Sequence, residues 1–245
     1  GVHLGSWGER FRADPDLRLP LSELIRAILE RTSAPRVRLS SLEPWDLEPD
    51  LFTLWHDPRL LPHLHLPLQS GSDTVLRRMR RKTSQAAFRE LVAAARAEIP
   101  NLAITTDVIA GFPGETEEEF VDTLDFVQEI DFAGGHIFTY SPRQGTPAAR
   151  MKGQLPKRIR KERNAALRSV FAEMAARYRE QFIGETKSVL WEASQNTRES
   201  GVQMQGLTEN YLRITAPVVE SRWNQIDQVK LLAVEGDVLR GEILR

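Results

Sequence analysis

Short runs rich in β-branched residues alternate with amphipathic helical segments from the start of the chain to about Tyr140, a pattern that predicts βα units around a parallel sheet or barrel. Leu21, Leu24, Ile25, Ile28 and Leu29 recur at helical spacing, and Arg36 to Ser40 follows as a short strand. Another helix is expected after Pro44. His63 to Leu68 reads as a strand, and the polar turn Gln69-Ser70-Gly71-Ser72 introduces a helix from Asp73 to Met79 that Ser70 or Ser72 can cap. Thr83 to Ile99 places Phe88, Leu91, Val92 and Ala95 on one helical face, and Leu102 to Ala110 is the most strand-like run in the sequence. It ends in the turn Gly111-Phe112-Pro113-Gly114, after which Thr116 and Glu119 form a capping box for a helix to about Glu129. Gly135 to Tyr140 is the last strand of this series, and Ser141 to Pro147 is a loop by its turn residues.

A long helix is predicted from Pro156 to about Gln181, with Leu167, Val170, Phe171, Met174 and Tyr178 as an apolar stripe packing on the body. Beyond it the pattern changes to short β runs: Ser188 to Glu192, Gly201 to Met204, Leu212 to Thr215, Ile226 to Val234 and Asp237 to Leu244. The expected organisation is a partial parallel (β/α) barrel over residues 1–155, a connecting helix over 156–181 and a small all-β domain over 182–245. The fold class is therefore α/β with an all-β appendage.

Composition narrows the chemistry. The 245 residues contain no cysteine, which removes disulfides, thiolate nucleophiles and thiolate metal sites from this chain. No signal peptide or apolar run of membrane-spanning length is visible, so a soluble cytoplasmic monomer without membrane contact is expected. The chain opens on Gly1 inside an apolar stretch, which reads as a start within a folded element of a longer protein. Formal charge is -1, and seven Lys and Arg against nine Asp and Glu lie from Phe182 onward, leaving 26 against 25 before it. Neither part is a polycation, so any nucleic-acid contact must rest on local patches.

Four segments together carry a resemblance: His65-Leu66-Pro67-Leu68-Gln69-Ser70-Gly71-Ser72-Asp73; Met79-Arg80-Arg81; Thr106 to Thr116; and Tyr140-Ser141-Pro142-Arg143. In this order they resemble the methylthiotransferase branch of the radical S-adenosylmethionine (SAM) enzymes. The terminal β module, with Gly206-Leu207-Thr208-Glu209-Asn210-Tyr211, is similar to the TRAM domain that holds RNA in these enzymes. Gly1-Val2-His3-Leu4-Gly5-Ser6-Trp7-Gly8 resembles the branch that modifies threonylcarbamoyladenosine beside the tRNA anticodon. The resemblance implies a radical SAM barrel, SAM and 4Fe-4S clusters as cofactors, and tRNA as partner. The implied reaction inserts a methylthio group at adenosine C2 after a 5'-deoxyadenosyl radical removes its hydrogen. The family's cluster-binding CxxxCxxC loop would precede Gly1, so these residues alone would be inactive.

The resemblance also implies where ligands sit, at the C-terminal ends of parallel strands. His3, with Gly5 and Ser6, follows one strand near the methionine part of SAM, or forms a plain turn. Ser40, Ser41 and Glu43 end the next, where hydroxyls and a carboxylate meet the amino group or ribose, or Ser41 caps a turn before Pro44. His63 and His65 share one strand face; they are hydrogen-bonded groups in a polar barrel, metal ligands, or, for His65, a cofactor contact. Gln69 and Ser70 are the ribose contacts, and Ile109, Gly111 and Phe112 pass the adenine, with Phe112 and backbone groups recognising it, or the glycines only permit the turn.

Arg77, Arg78, Arg80, Arg81 and Lys82 form one basic cluster, and Lys157, Arg158, Arg160, Lys161 and Arg163 another. Either is a solvated face or a phosphate track. Arg158, Arg160 and Arg163, with Tyr211 and Arg213, are the candidate RNA contacts; Tyr211 and Trp223 are either exposed aromatics beside such a patch or core of the small barrel, and Arg143 faces substrate or is a surface loop arginine. Two other readings remain: a metal-dependent barrel hydrolase using His63, His65, His136 and Asp107, and a non-catalytic RNA-binding module.

Overall fold

The computed structural model describes residues 21–39, 41–197 and 201–244. The chain divides into two compact units, Gly1–Met174 and Ala175–Arg245, and the boundary falls within one long helix.

In the first unit α1 (Leu21–Arg31) is followed by two 3-10 turns, Pro44–Asp46 and Pro49–His56, where the sequence predicts one helix. The series continues with β1 (His63–His65), α2 (Asp73–Arg78), α3 (Gln85–Glu98), β2 (Ala103–Ala110), α4 (Glu117–Ile130) and β3 (Gly134–Thr139). The three strands form one parallel sheet in the order β1-β2-β3. Parallel neighbours require long crossovers, which α2, α3 and α4 supply. In place of the strand expected over Arg36 to Ser40, the described residues show isolated parallel bridges, Val37 to Leu60 and Ser41 to His65. Pro67 has no backbone donor and breaks the β1 ladder. The amide of Leu68 turns to Thr106 Oγ1 at 3.0 Å, and regular pairing resumes with Gln69 N donating to Asp107 O at 2.8 Å.

α4 begins as its sequence dictates: Thr116 Oγ1 accepts from Glu119 N, and the Glu119 carboxylate accepts from Thr116 N. α2 does not. Ser72 is its N-cap but makes no capping hydrogen bond; its hydroxyl lies 3.0 Å from Thr74 Oγ1. The core centres on Phe88, Phe126, Phe132 and Phe171, with Phe132 stacked on Phe171 at 5.8 Å between centroids. The last of these lies on α5 (Lys157–Glu180), whose residues Leu167, Phe171 and Met174 are buried in this unit. A Cβ on Gly135 of β3 would meet the Phe171 ring at 2.5 Å, so the close approach of helix to strand requires glycine there.

The second unit is a closed barrel of β4 (Thr186–Thr197), β5 (Gly201–Thr208), β6 (Arg213–Val218), β7 (Ile226–Glu235) and β8 (Val238–Ile243) in the order β4-β5-β6-β8-β7. All pairs are antiparallel except β6 with β8. Trp191, fully buried, fills it with Val189, Met204, Ile214, Val229, Leu231 and Leu239. Tyr178, read from the sequence as the end of the α5 stripe, belongs to this core, where it packs edge-on to Phe182 at 5.1 Å and accepts from Asn210 Nδ2 at 3.0 Å. Trp191 Nε1 donates to Asp227 Oδ2 at 2.8 Å, and Arg222 clamps both oxygens of the same carboxylate. That guanidinium holds Asp227 below the usual carboxylate range.

A polar row across the parallel sheet

Strand alternation sorts the sheet into two faces. One carries Leu64, Ile104, Thr106, Val108 and Ala110, all buried. The other carries His63 and His65 on β1 and Thr105, Asp107 and Ile109 on β2, whose register partners on β3 are Gly134, His136 and Phe138. The side chains of this second face join into a row across the strands. His63 Nε2 and His65 Nδ1 each lie 3.0 Å from Thr105 Oγ1. His65 Nε2 lies 3.4 Å from Asp107 Oδ2, and His136 Nδ1 lies 3.2 Å from Asp107 Oδ1.

Burial, with Arg38 and His65 nearby, pushes the His63 imidazole down to about 3, so it is neutral. Carboxylate oxygens accept, so the imidazole nitrogens that face Asp107, His65 Nε2 and His136 Nδ1, are the donors of these contacts. When the His65 ring carries one proton, on Nε2, its Nδ1 accepts from the single Thr105 hydroxyl proton, and Thr105 Oγ1 accepts from His63 Nε2-H. Every contact is satisfied in one direction, ending on Asp107. His136 is the open end, with a side chain 73% exposed against 14% for His65. Among the described residues no group of three His, Cys, Asp or Glu side chains is arranged to hold a metal ion, so the barrel-hydrolase reading lacks its site.

The strand ends hold other expected ligand residues with mixed outcomes. His3 and Ser40 lie outside the described residues. Ser41 bridges to His65. Glu43 is paired with Arg81 at 2.5 Å, and Arg81 lies 4.6 Å over the Trp45 ring. Gln69 is half-buried with φ 70°, its backbone locked on both sides by Asp107 and Ile109.

Two expectations are corrected. The Ser70 hydroxyl is buried against α4, 3.2 Å from Thr123 Oγ1, and accepts from Ser72 N, so it shapes the turn instead of meeting a ribose. The Phe112 ring is buried edge-on against Tyr140 at 5.5 Å and packs with Val75, leaving only the backbone of this loop for an adenine. Ile109 is half-buried at the edge of that cluster. Gly111 has φ 76°, and its N-H donates to Glu115 Oε2 at 3.0 Å. Beside this loop Tyr140 Oη is buried with no hydrogen-bond partner among the described residues, an orphaned polar atom suited to a ligand's donor or acceptor.

The basic residues divide by partner. Arg163 is buried, 2.7 Å from Glu115 and 3.0 Å from Glu117, so it is not a surface phosphate contact. Burial raises Glu115, with Arg163 and the Gly111 amide opposing. Arg160 donates to Tyr140 O at 2.5 Å. Arg158 is exposed and paired with Glu162, and Arg143 is exposed in its loop. Arg78 grips Glu119 with both terminal nitrogens and holds that carboxylate down to about 2. In the second unit Tyr211 is 45% exposed at φ 70°, and Arg213 is exposed on β6. Trp223 is 67% exposed, so neither aromatic belongs to the barrel core. Sequence reasoning missed Phe138, 51% exposed two residues beyond His136; the alternation of β3 is the signal that reveals it.

Residues 12–127 match the radical SAM superfamily. The chain is 35% identical over its whole length to the threonylcarbamoyladenosine tRNA methylthiotransferase MtaB of Bacillus subtilis, of which it covers 54%. It is 42% identical to the protein of the same name from Thermotoga maritima over 78% of this chain and 43% of that one. A tRNA-2-methylthio-N(6)-dimethylallyladenosine synthase of Corynebacterium efficiens is 41% identical over 79% of this chain and 37% of that protein. The chain thus spans about half the length, or less, of these relatives. Among solved structures, the radical SAM enzyme coproporphyrinogen III oxidase (HemN) of Escherichia coli superposes with a TM-score of 0.51 at 16% identity, over 92% of this chain and 56% of that one, a likeness of fold. The superfamily implies SAM and an iron-sulfur cluster; with no cysteine in the 245 residues, this chain offers the cluster no thiolate. The sequence match and the relatives converge on the radical SAM superfamily and, within it, on its tRNA methylthiotransferases, to which the chain is similar through both units, and the parallel sheet agrees with this in fold.

Proposed function

We propose that these residues form the SAM-binding and substrate-facing part of a tRNA methylthiotransferase that adds a methylthio group to C2 of N6-threonylcarbamoyladenosine beside the anticodon. The observation that carries this reading is the 35% identity to a protein named for that activity, which runs through both units and not the sheet alone. The exposed end of the polar row supports it, because a parallel sheet of this class works from one face and from its C-terminal strand ends.

Bound SAM supplies the radical chemistry, and cluster thiolates come from outside these residues. The chain's own contributions are placement and exclusion. The loop from Ile109 to Gly114 offers backbone groups to the adenine of SAM, and Tyr140 Oη is the buried polar atom beside it. Gln69 and Ser41 border the same edge. The β barrel assists tRNA binding through Tyr211 and Arg213 without entering the chemistry, the protein acts in the cytoplasm, and the 245 residues alone are inactive.

The test compares tRNA from cells lacking the gene with tRNA from cells complemented by the full-length gene. Mass spectrometry of the nucleosides is expected to show threonylcarbamoyladenosine without its methylthio group in the first and with it in the second. An unchanged threonylcarbamoyladenosine alongside a changed dimethylallyladenosine would move the substrate to the other named class of relatives. No change in any nucleoside would overturn the reading.

A further inference from the structure

Of the large apolar side chains in the described part of the first unit, only Val121 and Phe138 are exposed. Val121 lies on α4, but Phe138 lies near the C-terminal end of β3 on the same face as the polar row, its ring centroid 6.3 Å from that of His136. His136 is in turn 6.1 Å from the His65 ring. An open aromatic face therefore stands beside an exposed imidazole whose inner nitrogen is fixed on Asp107.

We infer that this pair is the recognition site for the target nucleoside, with the base stacked on Phe138 and His136 Nε2 donating to a carboxylate on the substituent at N6. The inference rests on the proposed function above. The chemistry follows from the fixed orientation of the ring. Asp107 holds Nδ1, so Nε2 points away from the sheet's polar row, and the imidazolium form, with a proton on each nitrogen, can serve Asp107 and an incoming carboxylate at once. The threonyl arm of threonylcarbamoyladenosine ends in such a carboxylate; a dimethylallyl group offers no acceptor. Unstacked bases are held by aromatic rings, and Phe138 provides one without disturbing the core, because its ring is not among the residues that pack it. His136 is thus assigned as a specificity-determining residue, and Asp107 as the group that positions it.

The experiment uses the full-length enzyme and three anticodon stem-loops, carrying threonylcarbamoyladenosine, its carboxamide analogue, or plain adenosine. Dissociation constants are measured for wild type, His136→Gln and Phe138→Ala, with SAM affinity as the control for folding. Wild type should prefer the carboxylate over the carboxamide, and His136→Gln should abolish that preference by weakening the first stem-loop about tenfold and sparing the second, as expected for loss of one charged hydrogen bond. Phe138→Ala should weaken all three. Equal affinity of wild type for carboxylate and carboxamide, or a His136→Gln variant that keeps the preference, overturns this inference while the methylthiolation assay decides the function separately. If wild type methylthiolates no tRNA, the function fails and this inference fails with it.

Discussion

Arg163 on α5 and Glu115 after β2 form a buried ion pair 2.7 Å long between residues 48 apart in sequence. Arg163 also donates to Glu115 O at 2.9 Å, and Glu115 accepts from the amide of Gly111, so one guanidinium fixes the whole turn after β2. Removing one partner of a buried pair leaves the other charge stranded, at a cost of about 3–5 kcal/mol. Arg163→Leu should lower stability by that amount in urea unfolding at neutral pH. The deficit should shrink as pH falls, because burial already raises Glu115 and protonation removes the stranded charge. Arg158→Ala, which breaks an exposed pair of the same helix, should leave the unfolding midpoint within experimental scatter.

The contact of Gly135 with Phe171 predicts an overpacking penalty. A methyl group at residue 135 would stand 2.5 Å from the ring and 2.9 Å from Thr106 O, one of them backbone. Gly135→Ala should cost about 1–3 kcal/mol in thermal or urea unfolding. A Gly135→Ala, Phe171→Leu double variant should recover part of the loss, which a simple β-propensity effect would not allow.

His63 makes stability depend on pH in a known direction. Its folded-state value is depressed from 6.5 to about 3, so between those limits the unfolded chain binds the proton and the folded chain does not. The contribution is complete above 6.5 and is lost as pH falls toward 3, at about 1.4 kcal/mol per pH unit. His63→Gln should flatten the decline of urea midpoints between neutral pH and the lower end of that window. An unchanged slope would mean that His63 is protonated in the folded protein.

Salt dependence separates the two candidate RNA contacts of the barrel. In the full-length enzyme Arg213→Ala should weaken tRNA binding and reduce the slope of log affinity against log salt by about one. Tyr211→Ala should weaken binding with the slope unchanged, since stacking releases no counterion. Trp223, also exposed, should behave as Tyr211 does if it contacts a base.

Much of the fold was legible because its signals are local. The Thr116 and Glu119 capping box, the helical faces of α3 and α4 and the alternation of β2 all lie within a few residues of one another. The alternation of His63 and His65 also showed that both imidazoles share a face. What failed depended on partners far along the chain. Ser70 is taken by Thr123 and Arg163 by Glu115, and nothing in the turn or the basic run announces either. Phe112 sits in a glycine-rich turn that reads as a ligand loop, yet its ring is claimed by Val75 and Tyr140 from two other segments. The barrel's strands were foreseen, but their order was not, since pairing of β6 with β8 is a property of closure and not of any local pattern.

That pairing has a consequence for biogenesis. β8 is inserted between β6 and β7, joined to β6 through Ile214 to Leu239 and Thr215 to Arg240. Until Val238–Ile243 have left the ribosome, β4, β5, β6 and β7 can form only an open ribbon with Trp191 incompletely enclosed. The module should therefore close only once β8 is available, and a nascent chain arrested before β8 should remain a ready client for chaperones and proteases.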